Sequence, residues 1–271
     1  MVILNSQKRS AALLIILTAV VAVVFALLPR FPQPQVYHSF ADQRSALGIR
    51  NFGDVVSNLP FAVVGLWGLT FLLRLKPDEL SERFLDRRER WPYLLVFIGL
   101  LLTAFGSSYY HLFPNNIRLV WDRLPMTIMF MSMVVSVIAE RISVRAGMGL
   151  LPILLLLGAG SVIQWYMSEL SGHGDLRLYT AVQVYSALVL LIALALPSRY
   201  TQGTDLAVVV GFYVLAKALE LLDKPIFNAG HLVSGHTLKH LAAAGAGFWI
   251  LRMLQKRKLI SPSPSISVEV A

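Results

Sequence analysis

The chain has 271 residues, of which 56% are hydrophobic and only 14% charged, with a mean hydropathy of +0.65; this excludes an ordinary soluble domain and defines a multi-span membrane protein. It contains no cysteine, which excludes disulfides, thiolate metal sites and cysteine nucleophiles and leaves His, Asp and Glu as the strong metal ligands. The net charge of +9 lies in short loops between apolar runs and not on one soluble face, which makes phospholipid headgroups the expected partner and argues against nucleic acid.

A membrane-spanning helix takes about 20 apolar residues, and eight windows meet that need: 11–28, 55–73, 92–112, 119–139, 148–167, 178–196, 206–222 and 237–254. All read as helix, because the runs are long, rich in Leu and Ala, and lack the short alternating segments of a membrane barrel. Lys8 and Arg9 precede the first window, whose apolar run has no clear small-x-small cleavage site, so it is read as an uncleaved anchor and not a signal peptide. The expected fold is an all-α polytopic transmembrane bundle, a seven-helix core plus one N-terminal span. Residues 1–50 form the anchor and a loop, 51–258 the seven-helix domain, and the Ser/Pro-rich 259–271 a disordered tail.

With the N-terminus cytoplasmic, the inner segments carry fifteen Lys and Arg residues and the outer segments and helix mouths eight. That bias places both termini inside. The same topology gathers the polar residues of the spans at the outer face: His111 ends the third span, Asp122 begins the fourth, Glu220 and Asp223 end the seventh, and His236 and His240 begin the eighth. Ionisable groups in a bilayer are costly, so a cluster at one depth is a functional candidate.

His236 and His240 are four residues apart, which on a helix stacks the rings on one face about 6 Å apart and suits two ligands of one ion. His111 completes three nitrogens, the ligand set of many catalytic zinc sites. Ser107 lies one turn before His111 and faces the same way, a candidate donor to an oxyanion, although a serine in a membrane helix also bonds back to its own carbonyls. Ser108 points about 100° away. Asp122 is a candidate general acid/base, with an ion pair to Arg123 or Lys239, or duty as a fourth metal ligand, as its competing roles. Lys217 and Glu220 read as a self-neutralising pair, and Glu220 or Asp223 as a candidate to orient a ligand histidine. His38, His173 and His231 read as surface histidines, and Gly245 and Gly247 as a helix-packing device.

Four stretches carry a family likeness: G-S-S-Y-Y-H at 106–111, W-D-R-L-P-M at 121–126, S-G-H-T-L-K-H-L at 234–241 and N-F-G-D-V-V-S-N-L-P-F at 51–61. Together they resemble the alkaline ceramidases and, more broadly, the seven-helix membrane hydrolase superfamily that includes the adiponectin-type receptors. The likeness runs from about Asn51 to Leu254. It implies zinc held by His111, His236 and His240, with Ser107 and Asp122 completing the catalytic group, and hydrolysis of the amide of ceramide or a related lipid amide to a sphingoid base and a fatty acid. Where the eukaryotic ceramidases carry an acidic calcium cluster before their first helix, this chain has only Asp42 and Asp54 among Arg44 and Arg50, so calcium binding does not carry over. The alternatives are a receptor-like lipid sensor with structural zinc and an ion transporter. The latter needs polar residues along a whole path, whereas the inner halves of these windows are nearly all Leu, Val, Ala and Met.

Overall fold

The computed structural model describes residues 2–260, with side chains from Gln7 onward. Among these residues there is no strand, only two isolated bridges, Ala46 with Ile49 and Tyr200 with Leu259. The helices are α1 Val2–Leu27, α2 Phe52–Val56, α3 Leu59–Arg74, α4 Pro77–Arg83, α5 Arg90–Leu112, α6 Asn116–Arg141, α7 Val144–Leu170, α8 Arg177–Ala195, α9 Asp205–Leu221, α10 Asp223–Gly230 and α11 Gly235–Lys256.

Six segments are long and apolar enough to cross a membrane: α1 from Gln7, α2 with α3, the stretch Arg87–Leu112 that contains α5, α6, α7 and α8. The seventh and eighth expected windows also form helices, α9 and α11, but they fall outside that set. α9 is 17 residues long, and α11 carries His236, Lys239 and His240 in its first two turns. The side chains that α1 leaves exposed include Leu13, Ile15, Ile16 and Val20, a surface suited to lipid and not to water.

The expected second span is interrupted. Pro60 sits in the first turn of α3, where a missing N–H costs nothing, and the chain turns at Ser57 and Asn58 between α2 and α3. Asn58 is fully buried, and its amide donates to the Asp54 carbonyl at 2.7 Å. α5 packs between α3 and α6, α6 also packs on α7 and α8, and α11 packs on α9 and α3. Leu72, Phe97, Val134, Leu251 and Leu254 are fully buried where these helices meet.

At the end of the bundle formed by the start of α5 and the ends of α6 and α11, Arg257 pairs with Glu140, Tyr93 donates to Glu140 at 2.7 Å, and Tyr200 donates to Glu89. The first two residues of the expected tail, Leu259 and Ile260, are tied to the bundle. The backbone N–H of Leu259 donates to Glu82 and that of Ile260 to Arg199; the remainder, 261–271, lies outside the described residues.

Candidate metal centre and adjoining cavity

The opposite end of the bundle brings together the last turn of α5, the first two turns of α6 and the start of α11. Two local features set their spacing. Pro125 inside α6 has no N–H, so the Trp121 carbonyl lacks its helical donor. That carbonyl faces Gly106 of α5, where an added Cβ would stand 2.0 Å from the oxygen. The two helices therefore touch backbone to backbone, one residue from both Ser107 and Asp122. Gly235 does the same for α11: a Cβ there would meet the Leu219 carbonyl at 2.3 Å and Asp223 Cα at 2.7 Å. Gly245 and Gly247 likewise admit Phe212 and Leu100, as the sequence implies.

His111, His236 and His240 converge as expected. All three are buried, and one nitrogen of each lies within 4.8 Å of the others. His111 Nε2 and His236 Nε2 are 3.3 Å apart; nitrogens about 2.0–2.1 Å from a tetrahedral zinc ion stand about 3.3 Å from each other. Three buried imidazoles, all neutral-ligand donors, fit one divalent ion. The metal's identity is not fixed by this geometry.

The His240 ring and the backbones of His111 and His236 are held from behind, while His111 Nδ1 is buried without a hydrogen-bond partner. Ser57, in the turn before α3, donates its hydroxyl hydrogen to the Asp54 carbonyl at 3.2 Å and lies 2.8 Å from His240 Nδ1. The one proton arrangement that satisfies both contacts has His240 Nδ1–H donating to Ser57 Oγ, which leaves Nε2 free as a ligand. The Asn51 amide donates to the His111 carbonyl at 2.7 Å, satisfying one of the free acceptors at the end of α5. Asp223 Oδ1 accepts from the backbone N–H of His236 at 2.8 Å, and its Oδ2 accepts from Ala41 N–H at 2.9 Å, a carboxylate placed where the helix dipole favours it. Asp54 Oδ1 accepts from Thr237 at 2.8 Å and Ser234 at 3.2 Å. Phe40 covers the group, its ring centroid 4.6 Å from His111 and 4.4 Å from His236.

Part of the expected support is therefore corrected. Neither Glu220 nor Asp223 orients a ligand ring: Asp223 binds a backbone N–H, and Glu220 pairs with Lys217 at 2.8 Å and Lys239 at 2.7 Å. That role falls to Ser57, which has no spacing signature in the sequence. Asp122 makes no ion pair with Arg123 or Lys239 among the described residues; its side chain interacts with Ser107. Ser108 turns away and donates to the Val55 carbonyl at 3.3 Å. His173 and His231 are exposed. His38 is half-buried instead: Tyr110 donates to its Nδ1 and its Nε2–H donates to Asn116 Oδ1, both at 2.9 Å, and burial holds its pKa below the usual imidazole value. Asp42 is engaged by Arg44, whose guanidinium contacts both of its oxygens at 2.7–2.8 Å and holds its pKa below the usual carboxylate range.

A cavity of about 380 Å³ opens beside the histidines. Ser107, Asp122, Lys239 and His240 contribute to its polar wall, and Leu100, Met129, Phe130, Met133 and Leu190 to its apolar part. A pocket of this size, mostly apolar with a few convergent polar groups, suits a lipid or other small molecule.

Neither a model of a known protein family nor a curated protein matches this chain.

Proposed function

We propose that this protein is an integral membrane, zinc-dependent amidohydrolase that cleaves the N-acyl amide of ceramide or a related lipid amide, releasing an amine and a fatty acid. The observation that carries the reading is the convergence of three buried imidazoles beside a largely apolar cavity whose polar wall includes Ser107 and Asp122. In this reading α2 with α3, α5, α6, α7, α8, α9 and α11 form a seven-helix core, α1 is an additional anchor, both termini are cytoplasmic, and the site lies near the outer leaflet.

His111, His236 and His240 would hold the ion, which supplies Lewis acidity toward the amide carbonyl and acidifies the attacking water. Asp122 accepts a proton from that water as its oxygen bonds to the carbonyl carbon, then delivers it to the departing nitrogen as the C–N bond breaks. Ser107 Oγ–H donates to the oxygen on which negative charge develops. The apolar part of the cavity takes the acyl chain, and Phe40 keeps bulk water from the imidazoles.

Metal analysis of the purified protein, combined with a hydrolysis panel of labelled lipid amides, tests both parts. His240→Ala is expected to lose metal and hydrolysis together, and Asp122→Asn to keep the metal and lose turnover. A wild-type protein that binds zinc but releases no product from any amide refutes the hydrolase and favours a lipid sensor with a structural ion.

A further inference from the structure

The wall of the cavity near Asp122 carries more positive charge than cleavage of a neutral amide requires. Apart from His240 and three tyrosines, the titratable side chains that line the cavity are Arg123, Lys217 and Lys239 against Asp122 and Glu220. Glu220 is shared, its Oε2 accepting from Lys217 and its Oε1 from Lys239, so this cluster of two ammoniums and one carboxylate has one charge in excess. Lys239 uses a single donor on Glu220 and immediately precedes His240, so a group bound by its remaining donors sits next to the reacting end of the cavity.

Arg123 is not neutralised either. It is 4% exposed and makes no ion pair among the described residues. Its Nη2 donates to Gln33 Oε1 at 2.5 Å, its guanidinium carbon stands 4.2 Å from the centroid of Trp165 and 4.5 Å from that of Tyr179, and its buried Nη1 has no hydrogen-bond partner. Aromatic faces and a neutral amide offset only part of the cost of a buried cation. Asp54 and Asp223 stand behind the histidines, engaged by Ser234, Thr237 and backbone N–H groups, and do not line this cavity. The surplus at the cavity wall remains.

We infer that this wall is an anion subsite, and that the lipid amide cleaved here carries an acidic group on its amine half, as in the carboxylate of an N-acyl amino acid. The position of the amide rests on the hydrolase reading above; the acidic headgroup rests on the charges of Lys217, Lys239 and Arg123. A carboxylate can also come from the fatty-acid product, so the test separates the two sources.

Binding of N-oleoylglycine, its methyl ester and oleate to the purified protein is compared by titration calorimetry at one detergent concentration. The acid is expected to bind about ten-fold or more tightly than the ester, and Lys239→Met to remove most of that ratio. Equal affinity for acid and ester overturns the subsite. Oleate binding as tightly as N-oleoylglycine, with an equal loss in Lys239→Met, overturns its assignment to the headgroup. If Lys239→Met does not fold, Lys217→Met serves instead: it leaves Glu220 and Lys239 as a neutral pair and should lower the ratio several-fold, and an unchanged ratio counts against the subsite. A protein that prefers the acid but releases no product from any amide of the panel supports the subsite and refutes the hydrolase; one that hydrolyses neutral amides with no preference for the acid does the reverse.

Discussion

Ser57→Ala is the most direct probe of how the imidazoles are held. The hydroxyl donates forward to the Asp54 carbonyl and accepts the Nδ1–H of His240 at 2.8 Å, which commits the His240 Nε2 lone pair to the metal site. Alanine removes that acceptor and leaves only the Asp54 carbonyl beside the ring; loss of such a buried bond costs about 1–3 kcal/mol. At about 1.4 kcal/mol per ten-fold in affinity, the variant should bind zinc about 5- to 150-fold more weakly. Competition against a chelator of known affinity measures this on the purified protein. Ser57→Thr keeps the oxygen and should restore most of the affinity, and Ser108→Ala, bonded to the Val55 carbonyl away from the imidazoles, should have no effect. A Ser57→Ala protein within two-fold of wild type would falsify the proton arrangement drawn for His240.

The Gly106→Ala methyl group would collide with the Trp121 carbonyl at 2.0 Å; overpacking of this kind costs about 1–3 kcal/mol, so the melting midpoint in detergent should fall and turnover should drop more than metal content. An unchanged midpoint refutes the backbone contact. Removing the metal should also destabilise the protein, by about 2.7 kcal/mol if the free ion had been at 100 times its Kd, read as a drop in midpoint that zinc restores. Asp42 has its carboxyl depressed by the hydrogen bonds from Arg44, and Arg44 also donates to the carbonyls of His231 and Leu232. A depressed carboxylate contributes above its unfolded pKa of about 3.9 and loses that contribution as pH falls through the lower folded value. Proteolysis of the 39–46 loop should therefore be flat from pH 5 to 8 and accelerate only below about 4, with Asp42→Asn fast throughout; acceleration already at pH 6 would contradict the assignment.

The helices were legible because long apolar runs announce themselves: the expected 92–112 and 119–139 appear as Arg90–Leu112 and Asn116–Arg141. The break at Ser57 was not, since two polar residues, Ser57 and Asn58, do not by themselves interrupt a long apolar window and only Pro60 marks the turn. The three converging histidines were legible because ionisable residues are rare in such a chain and two of them share an i, i+4 spacing. Their supports were not. Asn51, Asp54 and Ser57 lie in the 51–61 stretch that carries the family likeness, but nothing in it assigns them a role, and Phe40 is a single residue of a common type; a turn and a loop that fold back over the start of α11 give them their place. Glu220 misled for the opposite reason: it is conspicuous in the sequence, but two lysines claim its oxygens.

The imidazoles are contributed by residue 111 and by residues 236 and 240, far apart in chain order. A polypeptide inserted from its N-terminus therefore owns only one of them through nearly half of its length and acquires the others only with its last helix. Phe40 and Ala41, made early, close over a group of side chains completed only by α11. Capture of an ion by the three imidazoles would thus be a late step of biogenesis, since a chain that stops before residue 236 has only one of them.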